Sequence, residues 1–148
     1  MGTTKEFYNA AFEQAQTGYD EGGIPIGAIL VHEGEIIGRG RNRRVQNGSA
    51  ILHGEMDALE NAGRLPASVY NQCTLYTTLS PCAMCSGTII LFGIPRVIIG
   101  ENKSFMGDEE RLKAAGVEVT VLDDALSHEL MQKFIEEKPM LWNEDIGV

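Results

Sequence analysis

The sequence has no apolar run approaching the roughly 20 residues a membrane-spanning helix needs, so no membrane partner is expected. Cysteine is scarce and odd in number, with three residues in a chain long enough to build its own core. A disulfide framework is therefore not expected, and a reducing, cytoplasmic compartment is. Residues Met1 to Glu6 carry no apolar signal-peptide core, which points the same way. Basic residues are outnumbered, 12 Lys+Arg against 21 Asp+Glu, for a net charge of −9. Phosphate backbones demand a concentrated basic face, so no nucleic-acid partner is expected. Arg39, Arg41, Arg43 and Arg44 form the one dense basic cluster, and solvated charge is its default reading. Internal repeats, low-complexity tracts and linkers are also missing. What is present is 148 residues, 43% hydrophobic and 22% charged, a composition and length that suit one globular domain over residues 1–148.

Apolar periodicity changes several times along the chain. Lys5 to Asp20 has helical spacing in Tyr8, Ala11, Phe12, Ala15 and Tyr19, and Gly22-Gly23 stops it. Ile26 to His32 and Glu35 to Gly40 predict a hairpin turning at Glu33-Gly34. Leu52 to Ala62 is helical again, with Gly63 as its end cap. Cys73 to Leu79 predicts a strand leading into a helix over about Pro81 to Phe92. Strands follow over Arg96 to Gly100 and Val117 to Leu122, separated by a helix over Asp108 to Ala115. A last helix is capped by Asp123 or Asp124 and ended by Lys138-Pro139. A hairpin followed by alternating helices and strands predicts an α/β fold, a three-layer α/β/α sandwich around a mixed central sheet. The last three strands are parallel neighbours in this scheme. Their order in the sheet does not follow.

Two short segments carry chemistry: His53-Gly54-Glu55 and Pro81-Cys82-Ala83-Met84-Cys85. Cys82 and Cys85, three apart on a helix, leave the same face. A helix N-terminus there favours thiolate over thiol. With His53 they make an S₂N ligand set suited to Zn²⁺ in the pattern of catalytic sites, which leave a fourth position open. Glu55, two residues from His53, is placed to face that open position and to move protons between a zinc-activated water and a substrate nitrogen. Such a site is built for hydrolytic loss of an amine from an amidine-like ring carbon. A redox or structural Cys pair is the bland alternative; a structural Cys₄ site needs a second pair, and Cys73 alone does not make one. Cys73 is read as a buried free thiol, Tyr76 and Met84 as core, and His32 and His128 as ordinary surface or half-buried residues.

His-x-Glu followed by Pro-Cys-x-x-Cys is the zinc deaminase pattern. Over nearly its whole length the chain resembles the fungal-type cytosine deaminases, a branch of the cytidine deaminase-like superfamily. The matching stretches include Gly18-Tyr19, Pro25-Ile26-Gly27, Gly38-Arg39-Gly40 with Asn42, and Leu52 to Glu55. They continue with Thr74 to Cys82, Gly100-Glu101-Asn102 with Phe105, and the tail Trp142 with Glu144 to Gly147. The resemblance implies a cytidine deaminase-like sandwich and a homodimer with one zinc per subunit. It implies that His53, Cys82 and Cys85 hold zinc and that Glu55 shuttles protons. Asn42 is then the residue that bonds the pyrimidine edge, an amide having both donor and acceptor. Asp145 accepts from the exocyclic amine, Phe105 and Trp142 close over the ring, and Ile26 walls it. Gly54 offers its backbone N–H to a carbonyl oxygen. Against these stand plainer readings: Asn42 as a turn cap, Trp142 as tail packing, Asp145 as an exposed terminal charge.

The expected reaction is hydrolysis of the small nucleobase cytosine to uracil and ammonia. Alternatives are another amino-heterocycle such as guanine or isocytosine, a tRNA adenosine, or a zinc module without catalysis. The net charge of −9 weighs against tRNA. Two positions depart from the family pattern: Asn143, where an aromatic residue is usual, and Ala83, where an acidic residue occurs. The first lies next to the substrate-facing tail, and puts pocket shape in question.

Overall fold

Alternation along the strands decides the architecture. In the computed structural model, which describes residues 2–148, the chain begins with helix α1 (Thr4–Asp20), whose N-cap Thr3 side chain accepts the Glu6 N–H. Strands β1 (Gly27–His32) and β2 (Glu35–Arg41) form an antiparallel hairpin. Its two turn residues, Glu33 and Gly34, both have positive φ (49° and 78°), as a two-residue hairpin turn requires. Then come α2 (Arg44–Asn47), α3 (Gly54–Ala62), α4 (Ala67–Tyr70) and β3 (Cys73–Leu79). The remainder is α5 (Ala83–Phe92), β4 (Arg96–Glu101), α6 (Glu109–Ala114), β5 (Glu118–Val121), α7 (Ala125–Glu137) and α8 (Pro139–Asp145).

The five strands lie in the order β2-β1-β3-β4-β5. β1 is antiparallel to both neighbours, while β3, β4 and β5 are mutually parallel through the α5 and α6 crossovers. Ile29, Val31, Tyr76 and Ile98 face one side, where they pack on Phe7, Tyr8, Ala10 and Ala11 of α1. Ala28, Leu30, Leu75, Val97 and Ile99 face the other, against Ala58 and Leu59 of α3, Ile89 of α5 and Leu112 of α6. Helices thus cover both faces of a mixed sheet, and the expected three layers are present. A third cluster, of Ile24, Ile26, Leu79, Met131, Phe134 and Trp142, closes the end of the sheet where β3 runs out.

Helix α3 lies unusually close to β2. A Cβ on Gly40 would fall 2.1 Å from the Ala58 nitrogen, and one on Gly38 would fall 2.4 Å from the Ala58 oxygen. Only glycine permits a helix and a strand to touch backbone to backbone.

The elements expected from periodicity are all found, with ends moved by one or two residues. Asp124 is the cap of α7, its carboxylate accepting the Ser127 N–H. Three helices had no sequence signal: α2 and α4, four residues each, and α8, which restarts immediately beyond the break at Lys138 with Pro139 in its first turn. Met84, expected in the core, is half-buried, whereas Tyr76 and Cys73 are buried as expected. Arg39 is exposed, as the solvated default has it, but the other three arginines of the cluster depart from that default. Arg41 pairs with Glu21 (2.9 Å), Arg43 with Asp57 (2.9 Å) and Arg44 with Asp145 (3.5 Å), because each lies beside a carboxylate brought from elsewhere in the chain. Among the described residues no helix is long and apolar enough to cross a membrane.

Candidate active site

The site is built where two helix N-termini meet. His53 is the N-cap of α3 and Cys82 the N-cap of α5, with Cys85 in the first turn of the latter. His53 Nδ1 lies 3.4 Å from Cys82 Sγ and 3.8 Å from Cys85 Sγ. All three ligand atoms fall within 4.8 Å of one another. A tetrahedral zinc with bonds of about 2.3 Å to sulfur and about 2.05 Å to nitrogen needs N···S edges of roughly 3.5 Å. The donor set and its spacing therefore fit a tetrahedral zinc.

Electrostatics support a thiolate ligand. A hydrogen bond from Cys85, opposed by burial and helped by His53, brings the Cys82 thiol down to about 4. The same hydrogen bond, with burial, raises Cys85. Burial works to lower the His53 imidazolium, but the Asp145 and Cys82 hydrogen bonds outweigh it and hold that ring up at about 10. Glu55, 4% exposed, has its carboxyl pushed up to about 7, chiefly by desolvation.

A narrow pocket is lined by Ile26, His53, Glu55, Cys82, Phe105, Trp142 and Asp145, with Leu79, Ser80 and Ile146 completing the wall. Phe105 and Trp142 meet edge to face, ring centroids 6.3 Å apart, and form its cover. A wider mouth lies outside, flanked by Arg44, Ala83, Met84, Met106 and the 144–147 tail. Asn42 and Gly54 do not line the cavity. Asn42 is fully buried behind Asp145, donating from Nδ2 to Asp145 Oδ1 at 2.9 Å and accepting the Arg44 N–H at 3.0 Å. A Cβ on Gly54 would fall 3.0 Å from the Ile26 oxygen, so close packing of the helix start is reason enough for glycine there. Asn143 borders neither cavity, and the departure at that position leaves the lining unchanged.

Asp145 is no exposed terminal charge. It is 8% exposed, and its Oδ1 also stands 3.4 Å from His53 Nε2 and 3.5 Å from Arg44 Nη1. A carboxylate on the far nitrogen of a metal-binding histidine orients the ring and fixes its tautomer. Sequence reasoning missed this contact, and it missed Ser80, Arg44 and Glu109. Ser80 Oγ donates to Glu109 Oε2 (2.6 Å) and accepts the Gly107 N–H (2.9 Å), tying the Phe105 loop to the end of β3. Nothing local in the sequence signals these pairs, which join residues 27 or more apart.

The residues 1–101 match the model of the cytidine and deoxycytidylate deaminase zinc-binding region. The chain belongs to this zinc deaminase family. A cytosine deaminase of Candida albicans is 55% identical over 97% of this chain and 96% of its own length. A tRNA-specific adenosine deaminase of Streptococcus pyogenes is 39% identical over 72% of this chain and 67% of its own. Among solved structures, one from studies of A-to-I editing by tRNA:A34 deaminases superposes with a TM-score of 0.74 at 28% identity, over 85% of this chain and 99% of that one. As a family member this chain is a zinc enzyme, and His53, Cys82 and Cys85 are the residues placed to hold the metal.

Proposed function

We propose that the protein acts as a single deaminase domain that converts free cytosine and water to uracil and ammonia in the cytoplasm. The observation that carries this reading is the narrow pocket lined by His53 and Cys82 of the deaminase ligand set, by Glu55 and by the Asp145 carboxylate. Likeness to a cytosine deaminase over 97% of the chain supports it. Zinc held by His53, Cys82 and Cys85 supplies the Lewis acidity that makes water a competent nucleophile near neutral pH.

The chain's own residues do the rest. Glu55 takes a proton from the attacking water and delivers it to ring N3 as the C4–O bond forms. It then carries the second proton to the exocyclic nitrogen, the C4–N4 bond breaks, and ammonia leaves. Asp145 accepts from that amine before reaction, while Asn42 behind it, which gives one Nδ2 hydrogen to Asp145, has its second for the pyrimidine edge once the base is seated. Gly54 directs its N–H to the same edge. Ile26, Phe105 and Trp142 sandwich the ring and exclude water, which strengthens each polar contact inside.

A narrow pocket covered by Phe105 and Trp142 suits a single base better than a base with its sugar. The acidic chain and the shorter 72% match to a tRNA-specific deaminase favour the free base over tRNA. We read the working form as a homodimer. Leu91 is 75% exposed beside Phe92, next to a groove lined by Met56, Leu59 and Tyr70, an apolar face suited to a second subunit. Sedimentation should give twice the chain mass.

The deciding experiment is ammonia release by metal-analysed protein across cytosine, cytidine, guanine, adenine and isocytosine. Turnover of cytosine alone, with one zinc per chain, is expected. Preference for another base would keep the zinc chemistry and overturn the pocket assignment.

A further inference from the structure

The segment that carries Asn42 is held in an unusual way. Asn42 follows the last residue of β2, where the ladder has ended, and its own N–H reaches the Ile26 oxygen at 2.9 Å. The residues on either side of it share one acceptor. The Arg41 backbone N–H donates to Asp57 Oδ2 at 3.0 Å, and Arg43 Nε donates to that same oxygen at 2.9 Å. Asp57 stands in the first turn of α3, and its own N–H donates to the His53 oxygen at 2.9 Å. One carboxylate therefore joins the segment bearing Asn42 to the helix bearing His53 and Glu55.

The clamp is sheltered. The Asp57 side chain is 6% exposed and that of Arg43 29%. Buried charge-assisted hydrogen bonds of this kind are strong and directional. They are also costly to break, since a buried partner left alone keeps its desolvation penalty. The backbone contact of Gly40 with the Asp57-Ala58 peptide keeps the strand end against the helix at the same point.

We infer that Asp57 is a positioning residue for base recognition. It fixes the Asn42 amide, and through it Asp145, relative to the His53–Glu55 helix, without itself touching the base. This rests on the reading of Asn42 as a base-binding residue. An amide that must present donor and acceptor in a set order loses discrimination when its backbone shifts by a fraction of an ångström. The zinc ligands themselves sit on the helix starts, so the clamp reaches them only through Asp145.

The test compares wild-type holoenzyme with Asp57→Ala, Asp57→Asn and Arg43→Gln. The readouts are zinc content, kcat and KM for cytosine, and the ¹H–¹⁵N signal of the Asn42 side-chain amide, assigned by its loss in Asn42→Ala. Removing a charged acceptor predicts KM about tenfold higher in Asp57→Ala with kcat within about threefold, and a displaced amide signal. Asp57→Asn, which keeps one acceptor oxygen, falls between it and wild type. Arg43→Gln, which keeps the backbone arm, raises KM by about threefold. In an Asn42→Ala background, Asp57→Asn should add nothing further to KM, a signature that general loosening of the fold would not give. Unchanged KM and an unmoved amide signal in folded variants would overturn the inference. Should Asp57→Ala fail to fold, Asp57→Asn and Arg43→Gln decide by the same readouts. If wild-type protein releases no ammonia from cytosine, the cytosine reading fails by itself, and the amide signal still decides whether Asp57 positions Asn42.

Discussion

The corner that holds the metal and the cover that closes over it are made in different ways. His53, Glu55, Cys82 and Cys85 sit on the first turns of two helices packed on the same face of the sheet, so secondary structure alone sets most of their geometry. Phe105, Trp142 and Asp145 come from a loop after β4 and from the last helix, and only tertiary contacts bring them in. On the proposed reading, chemistry is placed on rigid elements, and selection of the base on parts joined by long-range hydrogen bonds. Asp145 belongs to both regions, since it lines the pocket and also reaches His53 Nε2.

Substitutions sharpen that division, beginning with the corner. Cys85→Ala removes a ligand, and metal analysis should find the zinc lost and deamination at background. Glu55→Gln should keep one zinc per chain while kcat falls about 10³-fold, the usual reach of a general acid–base group. Retained turnover would remove Glu55 from the proton path. Asp145→Ala tests whether corner and cover are separable: loss of a carboxylate behind a ligating histidine costs about 10–100-fold in metal affinity or activity. Competition with a chelator should therefore show weaker zinc retention along with a lower kcat/KM. Zinc retention equal to wild type would confine Asp145 to the substrate side. Trp142→Ala should leave zinc untouched and raise KM about tenfold, while costing about 3 kcal/mol of stability as a buried aromatic truncation.

The smallest effect belongs to a pair outside both regions. The Arg41 guanidinium, with Gln46, holds the Glu21 carboxyl down at about 2, from an ordinary 4.5. A depressed carboxylate stabilises the fold above about pH 4.5 and loses that contribution as the pH falls toward 2. The Glu21 side chain is 37% exposed, so solvent screening limits the contribution to under about 1 kcal/mol. The Tm difference between wild type and Glu21→Gln should shrink between pH 6 and pH 3, while at neutral pH the two proteins share one kcat.

The same division explains what could be read from the amino-acid sequence. The layered fold and the metal corner were legible because each rests on local pattern: short β-prone and apolar runs for strands, three-and-four periodicity for helices, His-x-Glu and Cys-x-x-Cys on helix starts. Strand order was not, since which strand neighbours β1 depends on long-range packing. The cover was legible only through family resemblance, because Trp142 and Asp145 lie more than 80 residues from His53. Nor did the spacing of Arg41, Arg43 and Arg44 tell a solvated face from three separate ion pairs. Their carboxylate partners, Glu21, Asp57 and Asp145, are scattered along the chain.

The backbone contact of Gly38 and Gly40 with Ala58 carries its own consequence for anyone reading a mutational scan of this protein. Neither glycine lines the cavity, yet any side chain there would push α3, with His53 and Glu55, away from the sheet. Selection for activity would therefore treat both positions as though they were part of the reaction centre. In such a scan, intolerance at positions 38 and 40 marks the seat of the catalytic helix rather than a contact with substrate.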